Sequence, residues 1–145
     1  MPQLVINNQM LASEFFEDAL LLGIQCPVKA HRFVWQINRS FGYAFAYQQE
    51  AEIQVKVLNR TYLYPVYQCA EPNMELVHLL YVNENDGKHL LPELKHIDFL
   101  WLLKGLPPHN RFHILLMQEL RKLDQVQLVL ELTNEKIKNK EHLIF

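Results

Sequence analysis

Seven histidines, sixteen carboxylates and two cysteines are the side chains of this 145-residue chain best able to do chemistry. The sharpest spacing among them is His109-Asn110-Arg111-Phe112-His113, because residues four apart share a helical face and two imidazoles there can ligate zinc. A zinc-protease helix carries Glu directly after its first histidine. Asn110 stands there instead, Arg111 lies between the rings, and spacing fixes no third ligand. No metal is expected, and the pair reads as polar residues in the first turn of a surface helix. Nucleophilic catalysis also lacks its motif, since Ser13 and Ser40 sit in no Gly-x-Ser-x-Gly elbow and the glycines at 23, 42, 87 and 105 assemble no phosphate-binding loop. The chain is therefore expected to have no catalytic residue and no cofactor.

Cys26 and Cys69 are too few for a disulfide framework and read as free thiols. Pro27 suits a first helical position, and a helix N-terminus can lower the pKa of a neighbouring thiol such as Cys26. The plainer reading of Cys26, a small side chain at a strand-to-helix junction, is preferred. Glu93 and Asp98 could meet His96 as an acid–base group, but carboxylates in a loop before a strand usually accept from backbone N–H groups, so both read as structural. His31, Trp35 and Asn38 fall at i, i+4 and i+7 and form a stripe on one helix. The functional reading makes this an interface, with an indole and an amide as anchors. The plainer reading, in which Trp35 packs at the core margin and Asn38 bonds nearby backbone, is preferred.

The elements that position these residues follow from periodicity. Ala19–Ile24 is a short apolar run that suits a buried strand, and Ala30, Phe33, Val34, Ile37 and Phe41 then recur at three and four, predicting a helix over 27–41 closed by Gly42. From Ile53 the period becomes two, predicting a hairpin of 53–57 and 61–69 about Asn59-Arg60, with Pro65 confining the second strand to an edge or a bulge. A strand over 76–82 runs into Asp86-Gly87, which suits positive φ, and 97–103 is apolar enough to be a strand covered on both faces. Pro107-Pro108 opens a second helix with Phe112, Leu115, Leu116, Leu120 and Leu123 inward, and 126–132 alternates as a one-sided strand. Segregated helices and neighbouring strands predict an α+β domain: one two-layer unit spanning 1–145, a mostly antiparallel sheet of about six strands and two helices on one face. Residues 1–17 are expected to be loosely ordered, and the tail 133–145 to dock through its apolar end.

The segment Leu91-Pro92-Glu93-Leu94-Lys95-His96-Ile97-Asp98-Phe99 resembles the signature of the IPExxxVDY family, small bacterial proteins of Bacteroidota. Leu91 stands for isoleucine, Ile97 for valine and Phe99 for tyrosine. Leu22-Gly23-Ile24, Trp35-Gln36-Ile37-Asn38 and the final Lys140–Phe145 are similar to the family's pattern as well, so the resemblance runs from about Asp18 onward. It implies a compact cytoplasmic bacterial protein and brings no activity, cofactor or partner with it.

A formal charge of −2 supplies no basic field for nucleic acid, no stretch of about 18 apolar residues could cross a membrane, and the first residues lack an export pattern, which makes the cytoplasm the expected compartment. The expected function is a non-enzymatic protein-interaction or scaffold module. A homodimer is expected, paired through an edge strand near Tyr62, Tyr64, Tyr67 and Tyr81. The alternative is a small-molecule binder or enzyme with its pocket between the sheet and the first helix, near Trp35.

Overall fold

The run that is most apolar in the sequence lies at the centre of the sheet. The computed structural model describes residues 18–106, 110–132 and Leu143. In it β1 (Ala19–Gln25) leads to α1 (Ala30–Phe41), followed by β2 (Ala46–Tyr47), β3 (Ile53–Val57), β4 (Arg60–Tyr64), β5 (Val66–Ala70), β6 (Val77–Val82), β7 (Glu84–Asn85) and β8 (Lys88–His89). A 3-10 turn at Pro92–Leu94 then precedes β9 (Phe99–Lys104), α2 (Phe112–Arg121) and β10 (Leu128–Leu132). Six strands form one sheet in the order β10-β1-β9-β6-β5-β2, with antiparallel pairing throughout. The expected α+β architecture with both helices on one face is what forms.

Alternation sorts each strand between two cores. On the helix side Leu22, Ile24, Leu80, Phe99, Trp101, Leu103 and Val129 pack with Phe33, Ile37, Leu116 and Leu120. On the other side Leu21, Leu79, Tyr81, Leu100, Leu102 and Leu132 pack beneath the β3–β4 hairpin, the Leu91–Ile97 segment and Leu143. Both faces of β9 are thus dry, and truncating a residue such as Leu102 to Ala would cost about 2–5 kcal/mol. Gly23 keeps β1 slim at this point, because a Cβ there would stand 3.1 Å from Leu132 and 3.3 Å from Ile97.

Several local expectations change. α1 begins at Ala30 rather than at Pro27, with Lys29 as an extended N-cap. Pro65 splits the expected second hairpin strand: β4 pairs only with β3 in a separate two-stranded sheet, while β5 joins the main one. A residue without an N–H interrupts the ladder, so the chain changes sheets there. The Asp86-Gly87 turn has positive φ at both residues, 52° and 82°, which suits its sequence. Leu115 is 64 % exposed, not inward, and β10 buries Val129 under the helices as well as Leu132 on the far face, so it is not one-sided.

The tyrosines invoked for an exposed edge are inside. Tyr62 is 8 % and Tyr64 1 % exposed, Tyr81 is buried, and Tyr67 is half-buried in β5, inside the short β2 edge. The hairpin folds Tyr62 and Tyr64 onto the sheet, which gives their rings a core in place of solvent. Residues 1–17, 107–109, 133–142 and 144–145 lie outside the described residues, and with them the expectation for 1–17 and most of that for the tail. Leu143 itself is buried, and its carbonyl accepts a 2.7 Å hydrogen bond from the Tyr81 hydroxyl. No described helix is long and apolar enough to cross a membrane.

Candidate functional site

α1 turns Phe33, Val34 and Ile37 inward, and Gly42, at φ 70°, ends it by donating its N–H to the Asn38 carbonyl at 3.0 Å. One hundred degrees per residue then puts Arg32, Trp35 and Arg39 on the opposite side, facing solvent. Trp35 is 60 % exposed, and the Arg39 guanidinium lies 5.2 Å from the centre of its ring. Lys29 and His31 are exposed beside them, and α1 contains no acidic residue. Among the described residues Lys29, Arg32 and Arg39 make no ion pair. The stripe inferred from spacing divides here. Asn38 is occupied with Phe45, accepting its N–H at 2.9 Å and donating to its carbonyl at 3.1 Å, whereas His31 and Trp35 remain at the surface.

The signature segment is a brace. Leu91, Ile97 and Phe99 are buried, Pro92 begins the 3-10 turn, and Glu93 lies half-buried on it. Asp98 reaches across to the residue just past β1, where Oδ2 accepts the Cys26 N–H at 2.7 Å. Burial, and then the Asp98 charge, push the Cys26 thiol up to about 11, the opposite of an activated thiolate. His96 is exposed.

Sequence reasoning missed Asn83. Fully buried, its amide donates to the carbonyls of Leu94 at 3.0 Å and Ile97 at 2.8 Å while its Oδ1 accepts the Leu91 N–H at 2.8 Å. Its backbone adds bonds to Leu90 and Asp98. One side chain thus satisfies three backbone groups of the turn, beside the turn's own Leu94-to-Leu91 and Ile97-to-Leu94 bonds. Its place beside Glu84-Asn85-Asp86-Gly87 made it look like an ordinary turn residue.

A second cluster also escaped notice. His78 on β6 is wholly buried, with Nε2 2.9 Å from Glu71 and Nδ1 accepting the Trp101 indole N–H at 2.9 Å. The indole can only donate, so Nδ1 carries a lone pair and Nε2 the proton, given to the Glu71 carboxylate. Desolvation lowers the pKa of His78, with Glu71 opposing. Tyr43 interacts with the same carboxylate, and burial followed by the Glu71 charge raises its pKa. A histidine beside a carboxylate suggests a catalytic dyad, but both ring nitrogens are engaged and the ring has no solvent face, so it has no site from which to exchange a proton with a substrate. The one available signal was a histidine inside the apolar run Leu76–Leu80.

Beneath the middle of α1 Phe33 stacks on Phe99 with centroids 4.4 Å apart, and Trp35 faces away from the sheet. Among the described residues, clefts lie instead at the start of α1, about 400 Å³ beside Lys29, Glu84 and Asp98, and between Phe41, Tyr43, Phe112 and Leu115, about 250 Å³. His109 lies outside the described residues, and His113 Nε2 stands 3.9 Å from Glu131. No three His, Cys, Asp or Glu side chains among the described residues group as a metal site. No family model and no curated protein matches the chain.

Proposed function

We propose that this chain is a non-enzymatic protein-interaction module whose docking face is the outward side of α1, and whose occupant is a different protein. The observation that carries this reading is the exposed Trp35 with Arg39 over its ring. Trp and Arg are the residues most enriched at binding hot spots, and an indole kept in water loses the apolar burial a partner would give it. The engaged nitrogens of His78 and the high thiol pKa of Cys26 support a module without catalysis. The likeness of Leu91–Phe99 to the IPExxxVDY signature supports membership of that cytoplasmic bacterial family.

A second copy is the weaker occupant. A two-fold contact through α1 would set Arg32 and Arg39 near their own copies, which costs energy through like-charge repulsion, and the buried Tyr62 and Tyr64 offer no edge patch. Partners retained by the wild-type protein from native cytoplasm are to be purified and titrated against wild type and Trp35→Ala. Binding weakened at least about tenfold, roughly 1.4 kcal/mol, at an unchanged melting temperature is expected. Equal affinity for both proteins would sink the reading, and a two-chain sedimentation mass lost on Trp35→Ala would replace the foreign partner with a second copy.

A further inference from the structure

We infer that the segment received by α1 is acidic, carrying two carboxylates about 10 Å apart with an apolar side chain between them. This rests on the α1 face being the docking surface. The backbone positions of Arg32 and Arg39 are seven residues apart, two helical turns and a rise of about 10.5 Å, and Trp35 lies between them on the same stripe with the Arg39 guanidinium against its ring, so the spacing is that of two arms that swing out to meet a partner. Each guanidinium offers a planar fork suited to a carboxylate, and the indole offers an apolar landing.

The charges at the start of α1 are also placed against its dipole, whereas Arg39 in the last turn is placed with it. Lys29, His31 and Arg32 crowd its positive N-terminal end, its first turn holds no acidic residue, and no side chain caps it. A helix favours negative charge there by a few tenths of a kcal/mol per group or more. Glu84 and Asp98 line the cleft beside Lys29, and a partner carboxylate near Arg32 would add negative charge on the outward side of the same helix end. The stripe stands out in a protein whose formal charge is −2, so it is local rather than part of a general basic field. That same net charge argues against nucleic acid, whose binding draws on many phosphate contacts over an extended basic surface. Carboxylates about 10 Å apart on one face occur seven residues apart on a helix, whereas same-face positions of a strand fall about 7 or 13 Å apart, so the spacing points to a helical segment.

The test uses the full chain and three labelled probes at low salt: a helical peptide with Glu at two positions seven apart and Leu at the third and fourth positions between them, the same peptide with Lys for Glu, and a single-stranded oligonucleotide. Wild type is expected to bind the Glu peptide at least about tenfold more tightly than the Lys peptide, with the preference reversed by Arg32→Glu/Arg39→Glu. Trp35→Ala should weaken the Glu peptide and leave the sign of the preference intact. Both arginines are exposed; Arg32→Glu suits the dipole at the start of α1 whereas Arg39→Glu opposes it in the last turn, so the melting temperature of the double variant is measured alongside and is expected to stay within a few degrees of wild type. Absence of Glu-peptide binding, indifference to charge reversal, or tighter binding of the oligonucleotide would overturn the inference. If the purified partner depends on Trp35 and ignores the arginines, the docking face stands and only its acidic occupant falls.

Discussion

The Trp101 indole donates to Nδ1 of His78 across 2.9 Å, and that contact holds the histidine neutral. A second ring proton would set two N–H groups against each other. The folded pKa of His78 is lowered, chiefly by burial, so the unfolded chain takes up the proton first. The stability contributed by neutral His78 is therefore complete above the unfolded value of about 6.5 and is lost as pH falls from there toward the folded one. Urea unfolding measured from pH 7.5 to 5 should show this decline. His78→Gln, which can still accept from Trp101 and donate to Glu71, should flatten it; an identical pH slope in the variant would refute the assignment.

Asn83 should be among the costliest polar positions to replace. Asn83→Ala strands the carbonyls of Leu94 and Ile97 and the Leu91 N–H, and about 3–5 kcal/mol of unfolding free energy should be lost. Asn83→Asp keeps the acceptor and loses both donors, so it too should destabilise by more than about 2 kcal/mol. Denaturant midpoints at constant m-value measure both.

Asp98→Ala should lower stability by about 1–3 kcal/mol by leaving the Cys26 N–H without its partner, and Asp98→Asn by less, since an amide oxygen still accepts. Loss of peptide or partner binding at unchanged stability would instead move Asp98 from the brace to the binding surface.

Cys26 should resist alkylation in the native state. With its thiol pushed up to about 11 and its side chain buried, little thiolate exists at pH 8. Maleimide labelling followed by mass spectrometry should modify Cys26 only as urea unfolds the protein, and rapid native labelling would contradict the burial.

Much of the architecture was legible because it rests on period. Phe99–Leu103 is apolar on consecutive positions, which requires cover on both faces, and Phe33, Val34 and Ile37 mark the inner side of α1. Spacing from His31 allowed Trp35 either a surface stripe or a place at the core margin, and its 60 % exposure overturns the preferred core-margin reading. The tyrosines were not, because alternation assigns Tyr62 and Tyr64 to one face of a strand without saying whether that face meets water or a second layer. Nor could spacing announce that Glu71, His78 and Trp101 converge, since Glu71 lies in a turn and the other two come from different strands brought together by the β6–β9 register. Pro65 was read as marking an edge or bulge; which sheet the chain joins on either side is decided by long-range pairing that no local pattern encodes.

The position of β1 also sets a timetable for synthesis. It lies between β9 and β10, with Leu22 opposite Trp101 on one side and Glu131 on the other. The first strand described must therefore wait for β9 before its first ladder can close and for β10 before its second. Loop-closure entropy over such separations makes late, slow assembly the expectation, and until Leu128–Leu132 has been made the emerging chain carries Leu20-Leu21-Leu22 with one edge unmatched. A ribosome-bound chain ending before β10 is consequently the form most exposed to strand-mediated aggregation and to chaperone capture.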